Sequence, residues 1–193
     1  MTAPARATFW TAEELSRAGT PYERYELWDG VPVVKEPSGG PHGCIGARLL
    51  VRLALYVEAR GLGSVWDSSA GFIVARRPDR VLSPDIAFVS KGRLLAPPAE
   101  GFLPLVPDLA CEIRSPRDSW EAVVEKGGIW IAHGVSTVWL VNPPKQTVLA
   151  LVPGQEPQSF GPGDVVAARP VLPRFRLRVR DLFAEFGGPR ACP

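Results

Sequence analysis

Cysteine and histidine are scarce in this chain of 193 residues, and their scarcity excludes several kinds of site. The three cysteines, Cys44, Cys111 and Cys192, match no zinc-binding spacing, and their odd number argues against a disulfide framework. The two histidines, His42 and His133, lie far apart along the chain and lack the spacing of a zinc hydrolase. We therefore expect the cysteines to be buried or incidental thiols.

Several sequence motifs and long apolar runs are also missing. The chain has no glycine-rich phosphate loop with a lysine, no dinucleotide-binding fingerprint and no nucleophile elbow. No apolar run reaches the roughly 18 residues that a membrane-spanning helix needs. Residues 1–10 lack the apolar core of a signal peptide. The sequence therefore predicts a cytoplasmic protein that does not associate with membranes.

The charge is nearly balanced, with a formal net charge of +2, and does not by itself indicate a nucleic-acid-binding protein. The C-terminal part is nevertheless rich in arginine, at Arg169, Arg174, Arg176, Arg178 and Arg180. Arginine side chains suit phosphate groups, and they equally suit the solvent-exposed edge of a sheet. The sequence leaves both interpretations open.

Hydrophobic and charged residues make up 46% and 22% of the chain, a globular balance that predicts one domain over residues 1–193. Helical spacing, capping residues and glycine or proline breaks divide the chain into elements. The predicted helices span residues 12–18, 42–59 and 116–133, the last with Ser115 as its cap and Pro116 as its first residue. The predicted strands span residues 22–28, 31–35, 85–89, 108–114, 135–141 and 146–152. One or two further strands are predicted within 64–75, followed by a turn over 76–80, and a small helix is predicted over 181–186.

The unit of strand, helix and strand over residues 108–141 should place two parallel strands in one sheet. Strand-rich segments flank it on both sides. Together they predict an α/β (α+β) fold with a central mixed β-sheet flanked by helices. Its core should span about residues 22–143, with C-terminal strands and the short helix over residues 144–186.

Two acidic residues stand out because they belong to apolar strands. Glu112 shares one strand face with Ala110, and the opposite face is apolar. A buried, unpaired carboxylate is costly, so Glu112 needs a cation, which could be an arginine, a lysine or a metal. Asp85 follows Pro84 at the start of another strand. If the two strands are neighbours, both carboxylates can bind one Mg²⁺, which prefers oxygen ligands and often keeps several waters.

Lys126 is the third candidate for the site. It lies on the helix after the Glu112 strand, beside Val123 and Trp130, at the border of the buried face. A long lysine side chain can reach a polar pocket from there. Lys126 could orient or deprotonate the attacking water, or stabilise the scissile phosphate.

Together these motifs resemble the PD-(D/E)XK nuclease superfamily and, more narrowly, a bacterial family of restriction-endonuclease-like proteins. The resemblance runs from about residue 22 to residue 143. It is carried by residues 25–30 (YELWDG), Pro41-His42, Ser83-Pro84-Asp85, residues 111–116 (CEIRSP), Glu125-Lys126 and residues 134–143 (GVSTVWLVNP). It implies a Mg²⁺-dependent endonuclease that hydrolyses phosphodiester bonds in DNA, with Mn²⁺ able to substitute.

The resemblance also implies roles for individual residues. Asp85 and Glu112 are expected to bind the metal, and Glu26 to complete the site. Arg114 stands where the superfamily has a lysine, and an arginine stays protonated and cannot act as a base. The lysine's role is therefore expected to fall to Lys126, with Arg114 and His42 binding substrate. Because enzymes that cut both strands commonly work as symmetric dimers, a homodimer is expected.

Other interpretations of the same residues stay open at this stage. Glu26 could pair across a hairpin with Lys35 or Arg24, and His42 could only cap a helix. Asp85 and Glu112 could form a structural ion-pair network with Arg114 and Lys126. The alternative functions are a catalytically inactive nuclease-fold module that binds nucleic acid or a protein partner, and a structural or toxin-associated interaction protein. The tryptophans fit core positions better than base stacking: Trp28, Trp120, Trp130 and Trp139.

Overall fold

The structure is a computed structural model that describes residues 9–18, 24–35, 37–94 and 101–183. Its α-helices are α1 (Ala12–Ala18), α2 (Gly40–Glu58) and α3 (Trp120–Ala132). Its strands are β1 (Arg24–Trp28), β2 (Val31–Lys35), β3 (Gly63–Asp67), β4 (Phe72–Ala75), β5 (Arg80–Leu82), β6 (Ile86–Ser90), β7 (Leu109–Ile113), β8 (Thr137–Asn142), β9 (Thr147–Leu151), β10 (Gln158–Phe160), β11 (Val165–Ala168) and β12 (Leu172–Arg178). No helix in these ranges is both long enough and apolar enough to cross a membrane.

A six-stranded sheet in the order β10-β9-β8-β7-β6-β3 forms the centre of the fold. Its strands β7 and β8 are parallel and joined through α3, as the strand–helix–strand pattern predicted, whereas its other neighbouring strands are antiparallel. Every residue of both strands is buried. The predicted fold class, a mixed sheet flanked by helices, is therefore confirmed.

The two faces of this sheet are covered by different elements. One face packs Cys111 and Trp139 against α2 and against the two-stranded sheet of β11 and β12. The other face packs Ala110 and Leu140 against α3. A Cβ atom at Gly127 would lie 2.8 Å from Cδ1 of Leu140, so this glycine allows α3 to lie close to the sheet. The close packing brings the neighbouring side chains of α3 to the edge of β7.

A second, antiparallel sheet in the order β2-β1-β5-β4 lies next to the chain segment that leads into β6. Its β1–β2 hairpin turns at Asp29 and Gly30, which both have positive φ angles, 50° and 81°. The aspartate–glycine pair suits that conformation, and the predicted hairpin is present. Strand β5 was not predicted, because the pattern indicated a turn over residues 76–80 and no element between that turn and Pro84.

The start of the second long helix was predicted wrongly. Helix α3 begins at Trp120 and is capped by Ser119, whose hydroxyl accepts a hydrogen bond from the N–H of Ala122 at 3.0 Å. Ser115 instead donates from its N–H and its hydroxyl to the carboxylate of Asp118, which closes a separate turn before the helix. Ser119 therefore caps the helix in place of Ser115, and α3 begins four residues after the predicted first residue, Pro116.

Smaller differences occur at other element ends. Helix α2 begins at Gly40, two residues before the predicted start, with Pro41 in its first turn, where proline is tolerated. In place of the predicted helix over 181–186, a 3₁₀ turn spans Val179–Leu182. Residues 184–186 of that prediction, and residues 22–23 of the first predicted strand, lie outside the described residues.

Candidate active site

The candidate site lies where β6 begins and β7 ends. Ile86 pairs with Cys111 in the antiparallel β6–β7 ladder, so the preceding Asp85 comes opposite Glu112. The strands of the two acids are thus neighbours, which the sequence argument had required. Both acids line a cavity of about 530 Å³, together with Lys35, His42 and Lys126.

Asp85 is held by donors from three different elements. Its Oδ2 accepts the backbone N–H of Ile113 at 2.8 Å and is hydrogen-bonded to Nε2 of His42 at 3.1 Å. Its Oδ1 lies 3.4 Å from Nζ of Lys35. Burial alone would raise the pKa of Asp85, but the His42 hydrogen bond and the Lys35 charge outweigh it and lower that pKa to about 2. Asp85 is therefore ionised at neutral pH.

Glu112 has a different environment on the adjacent strand. Its Oε1 accepts the indole N–H of Trp130 at 2.8 Å and lies 3.0 Å from Nζ of Lys126. Burial raises the pKa of Glu112, and the charge of Lys126 does not fully offset that effect. Its other oxygen, Oε2, accepts no hydrogen bond from the described residues, although the side chain lines the cavity. Glu112 therefore has room and electrostatic reason to take a further cation.

Glu26 extends from β1 of the second sheet into the same site. Its Oε1 accepts hydrogen bonds from Nζ of Lys126 at 2.8 Å and from the backbone N–H of Ser83 at 3.0 Å. Its Oε2 accepts the indole N–H of Trp28 at 3.0 Å. Burial acts to raise the pKa of Glu26, but the charges of Lys126 and Lys35 outweigh it and lower that pKa. The partner of Glu26 is therefore Lys126 rather than Lys35.

Lys126 bridges Glu26 and Glu112 from the first half of α3. Burial would lower the pKa of Lys126, but the two carboxylates outweigh burial and raise it above its usual value. In this arrangement Lys126 keeps its proton and acts as a hydrogen-bond donor. Of the three roles that the sequence leaves open for it, a protonated ammonium group suits the orienting of water or the stabilisation of negative charge and does not suit removal of a proton.

His42 lies in the first turn of α2, next to the cavity. Burial would lower the pKa of its imidazole, but the hydrogen bond to Asp85 and the charge of that carboxylate raise it. A side chain that only capped the helix would not reach Asp85 on another element. The structure therefore places His42 in the site.

Arg114 lies apart from the other predicted site residues. Its Nε donates to the backbone carbonyl of Asp118 at 2.9 Å, and its backbone N–H donates to Val141. It does not line the cavity, and within the described residues no hydrogen bond or salt bridge joins it to the other five predicted residues. The structure thus brings together five of the six predicted residues and leaves Arg114 outside.

Comparison with known proteins identifies the family of this chain. The Uma2 family model, described as "Putative restriction endonuclease", matches residues 12–180. The chain belongs to the Uma2 family. This match also confirms the resemblance to restriction-endonuclease-like PD-(D/E)XK proteins.

The Uma2 fold of this chain is similar to a solved structure as well. That structure is a crystal structure of "a putative nuclease belonging to DUF820" from Anabaena variabilis. The sequence identity is 23%, the TM-score is 0.77, and the match covers 90% of this chain and 97% of the other. At this identity the likeness establishes the fold alone. No curated protein matches the chain.

Three residues of this Uma2 site were not predicted from the sequence. Lys35 donates to the carbonyl of Ser83 at 2.7 Å and reaches Asp85, which is 50 residues further along the chain. Trp28 and Trp130 were assigned to the core, but their indole N–H groups hold Glu26 and Glu112. Spacing could have indicated the tryptophans. Trp28 shares a strand face with Glu26, and Trp130 lies one helical turn after Lys126.

The donor set of this Uma2 site suits a magnesium ion that keeps most of its waters. Within the described residues no group of three or more His, Cys, Asp or Glu side chains is arranged to hold a metal. Asp85 and Glu112 nevertheless face one cavity, and Oε2 of Glu112 has no hydrogen bond there. One or two carboxylates suffice for Mg²⁺, because waters and substrate phosphates complete its octahedron. The residues present therefore fit the ion that the family resemblance implies.

Proposed function

We propose that this chain is a Mg²⁺-dependent endonuclease that hydrolyses phosphodiester bonds in DNA, with Mn²⁺ able to substitute. The observation that carries the proposal is the pair of carboxylates, Asp85 and Glu112, side by side on adjacent strands and facing one cavity with two lysines. An enzyme that cuts both strands of a duplex would act as a homodimer with one site for each strand.

Asp85 and Glu112 would hold the metal ion. When bound, such an ion supplies Lewis acidity that polarises a phosphoryl oxygen and activates water. Burial holds the pKa of Glu112 above its usual value, so a nearby cation favours the ionised form that can act as a ligand. His42, Lys35 and the N–H of Ile113 fix the position of Asp85, so the first ligand is oriented before a metal arrives.

Lys126 would stabilise the phosphate at the point of cleavage. Its Nζ stays protonated because Glu26 and Glu112 flank it, and it can donate to a non-bridging phosphate oxygen. Glu26 positions Lys126 and is itself fixed by Trp28 and Ser83. Its role in the proposal is therefore to orient the lysine, to which its Oε1 is hydrogen-bonded.

The charge balance of the cavity also favours this mechanism. Three carboxylates, those of Glu26, Asp85 and Glu112, share the site with the ammonium groups of Lys35 and Lys126. Asp118, Glu125 and Arg117 also line the cavity, so the acidic groups still outnumber the lysine and arginine side chains. A divalent cation would offset this excess of negative charge and reduce the repulsion of a phosphodiester. Without the cation, the excess carboxylate charge would repel the substrate.

A second candidate function is a catalytically inactive nuclease-fold module that binds nucleic acid or a protein partner. The observation that favours it is the environment of Asp85, whose carboxylate is already hydrogen-bonded by His42, Lys35 and Ile113 without a metal. In such a module the acids would only form a structural network. Metal titration separates the two candidates.

The test is cleavage of supercoiled plasmid with Mg²⁺, with Mn²⁺ and with EDTA, and calorimetric titration of each metal. We expect metal-dependent nicking by the wild type, and loss of both nicking and metal binding in Glu112→Ala and in Asp85→Ala. Glu58→Ala, an exposed glutamate at the end of α2, is the control and should retain both. A folded wild type that neither binds metal nor nicks the plasmid would overturn the proposal.

A further inference from the structure

Strand β12 presents a row of arginines on a surface separate from the cavity. Its residues alternate, so Phe175 and Leu177 are buried while Arg174, Arg176 and Arg178 are exposed. These three arginines, the arginine row, point away from the core that β12 forms with α2. The alternation fixes the direction of the arginines, because the apolar residues between them face the core.

Unlike Arg76, Arg80 and Arg93, the arginines of the row have no acidic partner among the described residues. Arg76, Arg80 and Arg93 each form a salt bridge at 2.7 or 2.8 Å. Within the part of the chain that the structure describes, no salt bridge joins the arginine row to a carboxylate. Arg176 makes only contacts of 3.4 Å to the carbonyls of Pro173 and Phe175. The positive charge of the row is therefore available to an external partner.

An open groove of about 790 Å³ is lined by the arginine row and by neighbouring residues of α2, β11 and β12. Arg52 and Tyr56 of α2 line its other side, and Asp181 is the acidic residue among its lining residues. Arg60 lies over the ring of Tyr56, with 4.1 Å from the guanidinium carbon to the ring centroid. The groove is thus bordered by basic side chains on both sides, which suits an extended anion.

We propose that the arginine row binds the phosphate backbone of the DNA substrate outside the cavity. Alternate residues of a strand are spaced about 6.8 Å apart, so the row extends over about 14 Å. Each strand of a duplex carries a phosphate about every 3.4 Å along the helix axis. A row of forked donors at this spacing matches a polyanion better than a single small anion, which requires donors that converge on one point.

The arginine row lies far enough from the cavity to affect the binding of DNA rather than the cleavage of the phosphodiester bond. Tyr56, at the groove, follows His42, at the cavity, by fourteen residues of the same helix, a separation of about 21 Å. The inference rests on the proposed function only in taking the polyanion to be the nuclease substrate. Loss of the row should therefore weaken DNA binding while the metal site stays intact.

The experiment compares two triple variants that remove the same charge. R174Q/R176Q/R178Q removes the row, and R17Q/K91Q/K145Q removes three exposed cations elsewhere. Binding of a fluorescent duplex of about 25 base pairs is measured in EDTA over a range of salt concentrations. We expect the row variant to bind at least about tenfold more weakly, with a salt slope reduced by about 2 to 3, and the control variant to bind nearly as the wild type does.

Further variants keep the result interpretable. R174K/R176K/R178K retains the charge and should recover most of the affinity, which also covers the case that the glutamine variant folds poorly. Equal weakening in both glutamine variants would overturn the inference, because net charge alone would explain it. Unchanged DNA binding in the row variant would overturn it too, and a shift in sedimentation would then identify the row as a contact between protein chains.

The same assay separates this inference from the proposed function. EDTA removes the divalent metal that the proposed cleavage needs, so duplex binding in EDTA is measured without cleavage. If the wild type binds through the row but never cleaves, the inference stands and the nuclease proposal fails. If the wild type cleaves but the row variant binds and cleaves unchanged, the nuclease proposal stands and the inference fails.

Discussion

The cavity and the arginine row both carry positively charged side chains, which are buried in the cavity and exposed in the row. Lys126 in the cavity is mostly buried and contacts two carboxylates at 2.8 and 3.0 Å. The arginine row is exposed and has no salt bridge within the described residues. A buried cation stabilises the fold through partners that would otherwise be unpaired, whereas an exposed cation contributes little to stability and is free to bind other molecules. The burial and pairing of each charge, rather than its sign, determine whether it stabilises the fold or binds another molecule.

The largest expected effect comes from removing the buried charge. Lys126→Met leaves Glu26 and Glu112 in a buried site without their shared cation, and we expect the free energy of unfolding to fall by about 3 kcal/mol at pH 8. Urea unfolding measures this loss, and plasmid nicking should vanish in the same variant. Because Glu112 can take up a proton when Lys126 is absent, the loss should be smaller at pH 5.

Arg176→Met is the matched change in the arginine row. Because Arg176 has no acidic partner among the described residues, the free energy of unfolding of this variant should stay within about 0.5 kcal/mol of the wild-type value. Comparable losses for Lys126→Met and Arg176→Met would show that burial and pairing do not distinguish the two regions.

A smaller effect should appear in the pH dependence of stability. The pKa of Asp85 is lowered from its model-peptide range to about 2 in the folded chain. A lowered carboxyl pKa contributes stability that is fully present above the unfolded pKa, near 4, and is lost as the pH falls towards 2. Asp85→Asn should therefore unfold with about 2 kcal/mol less free energy than the wild type at pH 6, and this difference should shrink between pH 4 and pH 2.

Urea unfolding of both proteins at several pH values checks this prediction. Glu156→Gln is a control at an exposed carboxylate that makes no hydrogen bond or salt bridge within the described residues, and its difference from the wild type should vary less with pH. A constant Asp85→Asn difference from pH 6 to pH 2 would mean that the ionised carboxylate does not stabilise the fold.

The sequence predicted those parts of the fold that depend on local patterns. Helix α1, the β1–β2 hairpin and the parallel pair β7 and β8 follow from capping residues, turn residues and apolar periodicity, which act over a few positions. The strand face of Glu112 followed from the same alternation. These predictions needed no knowledge of which distant segments come together.

The remaining features depend on contacts between distant segments. Lys35 reaches the carbonyl of Ser83, 48 residues away, and the register of a hairpin says nothing about that contact. The direction of Arg114 depends on the turn before α3, where Ser115 binds Asp118 instead of capping the helix. Sequence patterns gave the candidate residues of the site, but the three-dimensional packing decides which of them meet.

A loss of stability about half as large as that of Asp85→Asn should come from removing one indole N–H donor, and it sharpens the contrast between buried polar groups with and without partners. Trp130→Phe keeps an aromatic ring but removes the donor to Glu112, so we expect a loss of about 1 kcal/mol in the free energy of unfolding and weaker Mg²⁺ binding. Trp139 is equally buried, but its indole nitrogen has no hydrogen-bond partner among the described residues. Trp139→Phe therefore loses ring volume without losing a bond, and its Mg²⁺ affinity in calorimetric titration should match the wild type. Equal metal affinities for the two variants would show that the indole of Trp130 fills space beside Glu112 and does not position it.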